Sequence, residues 1–134
     1  MMRYVIAYLS TAFVFLAIDA VWLGFIIIDF FVAQLGDALL EKPNLAIAAG
    51  FYLIYAAGVV FFAVRPALEA QSWRVALGYG AFLGFLAYGT YDLTNLATLK
   101  AWSWQVVAVD VPWGTFLTGI SALAGYAVTT RFSR

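Results

Sequence analysis

The chain has 134 residues, of which 66% are hydrophobic, 19% aromatic and only 10% charged, with seven Lys and Arg balancing seven Asp and Glu. A mean hydropathy of +0.96 excludes an ordinary water-soluble domain, and the neutral balance offers no basic face for nucleic acid. There is no Cys and no His. Disulfides, thiol chemistry, imidazole- or sulfur-ligated metals and His-assisted nucleophiles are therefore excluded, and neither a resident cofactor nor a bound metal is expected.

In chain order, four stretches are apolar for the roughly 20 residues that a helix needs to cross about 30 Å of hydrocarbon. They cover about 4–28, 45–64, 75–97 and 106–130. This reads as an all-α, polytopic membrane protein, a four-transmembrane-helix bundle forming a single domain over 1–134. The first stretch follows Arg3 and holds the small residues Ala17 and Ala20, as a signal peptide would. Its apolar run outlasts the roughly 7–15 residues of a cleavable core, so it reads as an uncleaved span. The second carries no charge. The third repeats a small residue every fourth position, Ala76, Gly80 and Gly84, which lets helix backbones approach in lipid. The fourth has matching lines, Gly114, Thr118 and Ala122, with Ser121 and Gly125 beside them. These stripes predict packing inside the chain, with a homodimer seam as the alternative.

The start of the fourth helix has two readings. In one, Asp110 caps a helix that begins at Val111, with Pro112 in the first turn. In the other, the helix begins near Val106 and Asp110 lies inside the span. Stretches 34–44, 65–74 and 98–105 read as linkers. Trp73, Trp102 and Trp104 read as interfacial anchors, and 101–105 as a segment along the outer surface. Arg3, Arg65, Arg74, Arg131 and Arg134 fall at one end of the bundle and Lys42 and Lys100 at the other. By the positive-inside rule both termini are cytoplasmic, in a multi-pass protein of the bacterial inner membrane.

A carboxylate inside a span is costly and is a functional candidate by default. At about 1.5 Å per residue, Asp19, Asp92 and Asp110 lie about 24, 27 and 31 Å from Arg3, Arg74 and Arg131, at one level in the outer half. On the first helix Tyr8, Ala12, Phe15, Asp19, Trp22, Ile26 and Asp29 form one stripe. On the third, Tyr88, Asp92 and Asn95 share a face, with Tyr91, Thr94 and Thr98 beside them and Lys100 just beyond. Asp110 and Trp113 repeat the Asp-x-x-Trp spacing of Asp19 and Trp22. The plain structural alternative for these pairs is an indole bonded to the carboxylate one turn away. For Asp92 and Asn95 it is hydrogen bonding between helices. Asp29, Asp37, Glu41 and Glu69 read as solvated.

The run Tyr88-Gly89-Thr90-Tyr91-Asp92-Leu93-Thr94-Asn95-Leu96-Ala97-Thr98-Leu99-Lys100, followed by Trp102, Asp110 and Trp113-Gly114, resembles the signature of a family of small bacterial inner-membrane proteins. That family is domain of unknown function 2177. Asp19-x-x-Trp22-Leu23-Gly24 is similar to its first helix, and the resemblance covers nearly the whole chain. It implies a four-span membrane protein and marks Asp19, Asp92, Asn95, Lys100, Asp110 and Trp113 for testing. It implies no particular reaction.

Three functions compete. The first is a ligand-binding or transport site open to the outer leaflet, taking a small cationic or amphipathic molecule or protons. It would be built from Asp19, Trp22, Tyr88, Tyr91, Asp92, Asn95, Asp110 and Trp113, with Thr94 and Lys100 as contributors. The second is a membrane enzyme acting on a lipid or isoprenoid, with an Asp as acid or base. The third is an accessory subunit of a larger membrane complex. Membrane lipids are the expected partners in all three.

Overall fold

In the computed structural model, residues 1–39 and 44–133 are described. Glu41, Lys42 and Arg134 lie outside them. Helix α1 covers Met2–Val21 and continues through a π-turn, Trp22–Ile26, to the short α2, Ile28–Leu35, and a 3-10 turn, Gly36–Ala38. Helix α3, Leu45–Val59, runs through a second π-turn, Val60–Val64, into α4, Arg65–Ala70. The last two helices are α5, Trp73–Thr98, and α6, Trp104–Phe132.

Side-chain oxygens start three of these helices. Asn44 accepts from the Ile47 amide at 3.1 Å, Ser72 from Val75 at 3.4 Å and Ser103 from Val106 at 3.2 Å. Each satisfies an amide that the first helical turn leaves free. Two expected linkers are shorter than the sequence predicts. Helix continues to Ala70 because the π-turn, in which the Arg65 amide bonds the Val60 carbonyl five residues back, shifts the bonding pattern just before Pro66, which has no amide to donate. Helix α6 already begins at Trp104, so no surface segment spans 101–105. Pro112 stands inside α6, and Asp110 is therefore an interior residue. The capping alternative falls because Ser103 has taken that role seven residues upstream of Asp110.

The π-turn after α1 alters the expected stripe. The Ile27 amide bonds the Trp22 carbonyl at 2.9 Å, five residues back. An extra residue in one turn rotates everything after it by about 100°. Ala12, Phe15 and Asp19 are buried as the spacing predicts, but beyond the turn Ile27 is buried while Ile26 and Asp29 are exposed.

Three helical stretches are long and apolar enough to cross a membrane: Met2–Ile26, Leu45–Ala70 and Trp104–Phe132. Helix α5 has the length, 26 residues, but its glycines and its polar end, Thr90 to Asn95, hold down its hydropathy. It packs mainly on α6, which also receives α1 and is the most buried of the long helices. The apolar core joins Ala7 of α1 to Val59 of α3, Val60, Ala63 and Val64 of the second π-turn, Leu68 of α4 and Ala122 of α6. Outward faces carry large apolar side chains such as Phe13, Phe51, Phe62, Phe82 and Phe116, the surface of a protein whose solvent is lipid.

Candidate functional site: an acid and aromatic cluster between the helices

Close approach of α5 and α6 sets up the site. A Cβ added at Gly80 falls 2.7 Å from the Ala122 Cβ, and one at Gly84 falls 2.8 Å from the Thr118 Cβ. The small-residue stripes of the two helices thus face each other inside the chain. One turn further up, Tyr88 lies flat against Gly114, where any added Cβ would enter its ring. Tyr55 of α3 meets this seam from the side, with its hydroxyl 2.9 Å from Thr118 Oγ1 and its ring 6.5 Å from that of Tyr88.

Above the seam, α1 and α6 are joined by Asp19 and two tryptophans. Asp19 is 4% exposed and accepts a hydrogen bond from Trp113 Nε1 at 3.3 Å. Trp22 stacks on Trp113 with centroids 4.0 Å apart and planes within 9°. The alternative of an indole bonded to the carboxylate on its own helix is thereby overturned. Asp19 takes its donor from α6, and Trp22 contributes its face, because the side chains at the end of α1 point across the helix interface. Tyr52 of α3 turns its hydroxyl to the same carboxylate, and Phe15 packs edge-on to it at 5.3 Å.

The second half of the cluster joins α5 to α6. Asp92 is fully buried, and the groups facing its carboxyl are the Asp110 carboxyl and the Trp102 indole. Trp102 is half-buried rather than an exposed anchor, and its ring meets that of Tyr91 edge-on at 5.5 Å. The loop folds back over the end of α5 because Ser103, besides capping α6, donates to Gln34 Oε1 at 2.7 Å. Asp110 lies within electrostatic range of both Asp19 and Asp92 and so links the two halves. Asn95 is half-buried beside Tyr91, whereas Thr94 and Lys100 stay at the surface. Trp73 and Trp104 are exposed.

Polar bonding in this cluster is incomplete. Seven buried side-chain polar atoms lack a hydrogen-bond partner among the described residues, and five of them are here: Asp19 Oδ2, Trp22 Nε1, both Asp92 oxygens and Trp102 Nε1. Native interiors leave few such atoms. Among the described residues no Lys or Arg pairs with these carboxylates. Among the described residues the one ion pair is the exposed Arg65–Glu69 pair on α4, at 3.2 Å, and no group of three His, Cys, Asp or Glu could hold a metal ion.

Residues 4–127 match the profile of a family described as a predicted membrane protein, DUF2177. The chain belongs to the DUF2177 family. No curated protein and no solved structure matches it, so in this DUF2177 protein the site is read from its own geometry. Tyr52 and Gln34 belong to the cluster without having been singled out in the sequence, and Trp102, read there as an interfacial anchor, joins them. Tyr52 sits in a charge-free apolar stretch, and Trp102 has the composition of a membrane-surface anchor. Only a view across helices reveals their roles.

Proposed function

We propose that this integral membrane protein crosses the bacterial inner membrane four times with its termini in the cytoplasm, and that the acid and aromatic cluster binds a cationic amphipathic molecule from the outer leaflet. Helix α5 supplies the fourth crossing. The one acid of its polar end, Asp92, is buried, so the costliest group is kept from lipid and a lower mean hydropathy does not prevent insertion.

The observation that carries this reading is the Asp92–Asp110 pair. Asp92 is buried with both oxygens unpartnered, a second carboxyl faces it, and no Lys or Arg among the described residues forms an ion pair with them. Two ionised carboxylates about 4 Å apart would repel by about 4 kcal/mol at an effective dielectric of 20. A ligand cation between them reverses the sign of that term. Tyr91 and Trp102 stand beside this pair, and a cation over the face of such a ring gains about 0.5–2 kcal/mol. The apolar body of an amphipathic ligand then remains in lipid. A passive packing surface would gain nothing from acids that have no partner, and the small-residue seam of α5 is already filled by α6.

The test is titration of the purified protein with dodecyltrimethylammonium, followed by tryptophan fluorescence. The wild type is expected to saturate, and a neutral amphiphile of equal chain length is expected not to. Asp92→Asn keeps shape and hydrogen-bonding capacity while removing the charge. It is expected to weaken binding at least tenfold with little change in unfolding temperature. Equal affinity of Asp92→Asn and the wild type would refute the proposal.

A further inference from the structure

At the opposite end of the bundle, the start of α1, the α4–α5 turn and the end of α6 surround a cavity of about 420 Å³, lined among others by Arg3, Leu68, Gln71, Tyr126, Thr129 and Ser133. Its polar wall is cationic. Arg3 lies over the ring of Tyr4 at 5.7 Å and has no carboxylate in ion-pair reach among the described residues. Helix α1 begins there with no acid in its first turn and no side-chain cap, so its positive end adds to the same field. Arg65, Arg74 and Arg131 share this end of the molecule, and Glu69 is the one described acid beside them. The Thr129 hydroxyl is turned away onto the Gly125 carbonyl at 2.6 Å. The Thr130 hydroxyl likewise donates to the Ala127 carbonyl at 3.0 Å, which leaves as lining donors the Arg3 guanidinium, the Gln71 amide, the Ser133 hydroxyl and the Tyr126 phenol. Leu68 and the ring of Tyr126 supply apolar surface.

We propose that this cavity binds the phosphate of an anionic phospholipid. Arg3, Gln71 and Ser133 hold the phosphate oxygens, and the lipid's glycerol and first methylenes lie on Leu68 and Tyr126. A guanidinium at the mouth of a cleft between helices, among further arginines and at headgroup height, is the arrangement that recognises anionic headgroups. The apolar surface favours a lipid over free phosphate, which would leave Leu68 and Tyr126 facing water. This site is independent of the acid cluster, which lies at the other end of α1 and α6.

The experiment is native mass spectrometry of the full chain in mild detergent with dioleoylphosphatidylglycerol or dioleoylphosphatidylcholine. One phosphatidylglycerol is expected to bind distinctly more tightly than any further lipid. Losing a charge-assisted hydrogen bond should weaken that lipid about tenfold or more in Arg3→Gln, with Arg3→Lys recovering part of it. Gln71→Glu, which keeps the size of the side chain at an exposed position, should weaken it as strongly by placing a carboxylate in the cavity. Arg74→Gln removes the same charge from the same end but outside the cavity, and should leave binding unchanged. Equal losses in Arg3→Gln and Arg74→Gln would show general surface charge and overturn the site. Equal binding of phosphatidylcholine, or displacement of the lipid by inorganic phosphate at matching concentration, would overturn the assignment to an anionic lipid.

Discussion

Replacing Gly84 with Ala tests the packing on which the cluster depends. The new Cβ would stand 2.8 Å from both Cβ and Oγ1 of Thr118 and against the Gly114 carbonyl. That carbonyl is backbone and cannot swing aside as a flexible side chain would, so α5 must move off α6. Overpacking of this kind costs about 1–3 kcal/mol. Exchange of Gly for Ala in a helix returns roughly 0.5–1 kcal/mol, and the net expectation is a loss of about 1–2 kcal/mol. Gly78→Ala is the matched control. It lies on the same helix, its added Cβ meets nothing within 4 Å, and it should show the propensity gain alone. Thermal unfolding of the detergent-solubilised protein should therefore rank Gly78→Ala at or above the wild type and Gly84→Ala several degrees below it. Because Asp92 lies two turns along the same helix, Gly84→Ala should also weaken amphiphile binding. Equal unfolding temperatures for the two variants would refute the interhelical contact.

Trp113→Phe keeps the ring stacked on Trp22 but removes the donor to Asp19. It should lower stability by about 1–3 kcal/mol in chemical or thermal unfolding, since a buried carboxylate loses its bond, while Trp22→Phe should cost less. Thr118→Val removes the 2.9 Å partner of Tyr55 and should cost about 1 kcal/mol by the same measurement. With no native Cys, single cysteines report topology cleanly. A membrane-impermeant thiol reagent applied to intact cells should modify Asp37→Cys and Lys100→Cys but not Gln71→Cys or Ser133→Cys, and the reverse pattern would invert the proposed orientation.

The apolar runs and the four-residue spacing of Ala76, Gly80 and Gly84 make the long helices and their tightest seam legible in the sequence. A small residue has the same meaning whichever helix it faces. The level of Asp19, Asp92 and Asp110 is legible for the same reason, since rise per residue is a property of one helix. What periodicity misses depends on events between helices or on breaks in periodicity. The extra residue in the Trp22–Ile26 turn rotates the end of the α1 stripe, burying Ile27 in place of Ile26. Asp19 and Trp113 pair across α1 and α6, although the repeated Asp-x-x-Trp spacing favours bonds within each helix. Asp110 looks like a cap beside Pro112. The actual cap, Ser103, is recognised by its place before Val106 and by its bond to Gln34 on α2.

The central claim is that carboxylates from two helices hold one positive charge together, and a double-mutant cycle on dodecyltrimethylammonium affinity tests it most directly. Asp92→Asn, Asp110→Asn and the double variant would be titrated beside the wild type. If Asp92 and Asp110 form one site, each single substitution removes most of the binding and the double removes little more, so the losses fall well short of adding. Additive losses, or a single variant that binds like the wild type, would contradict the shared site.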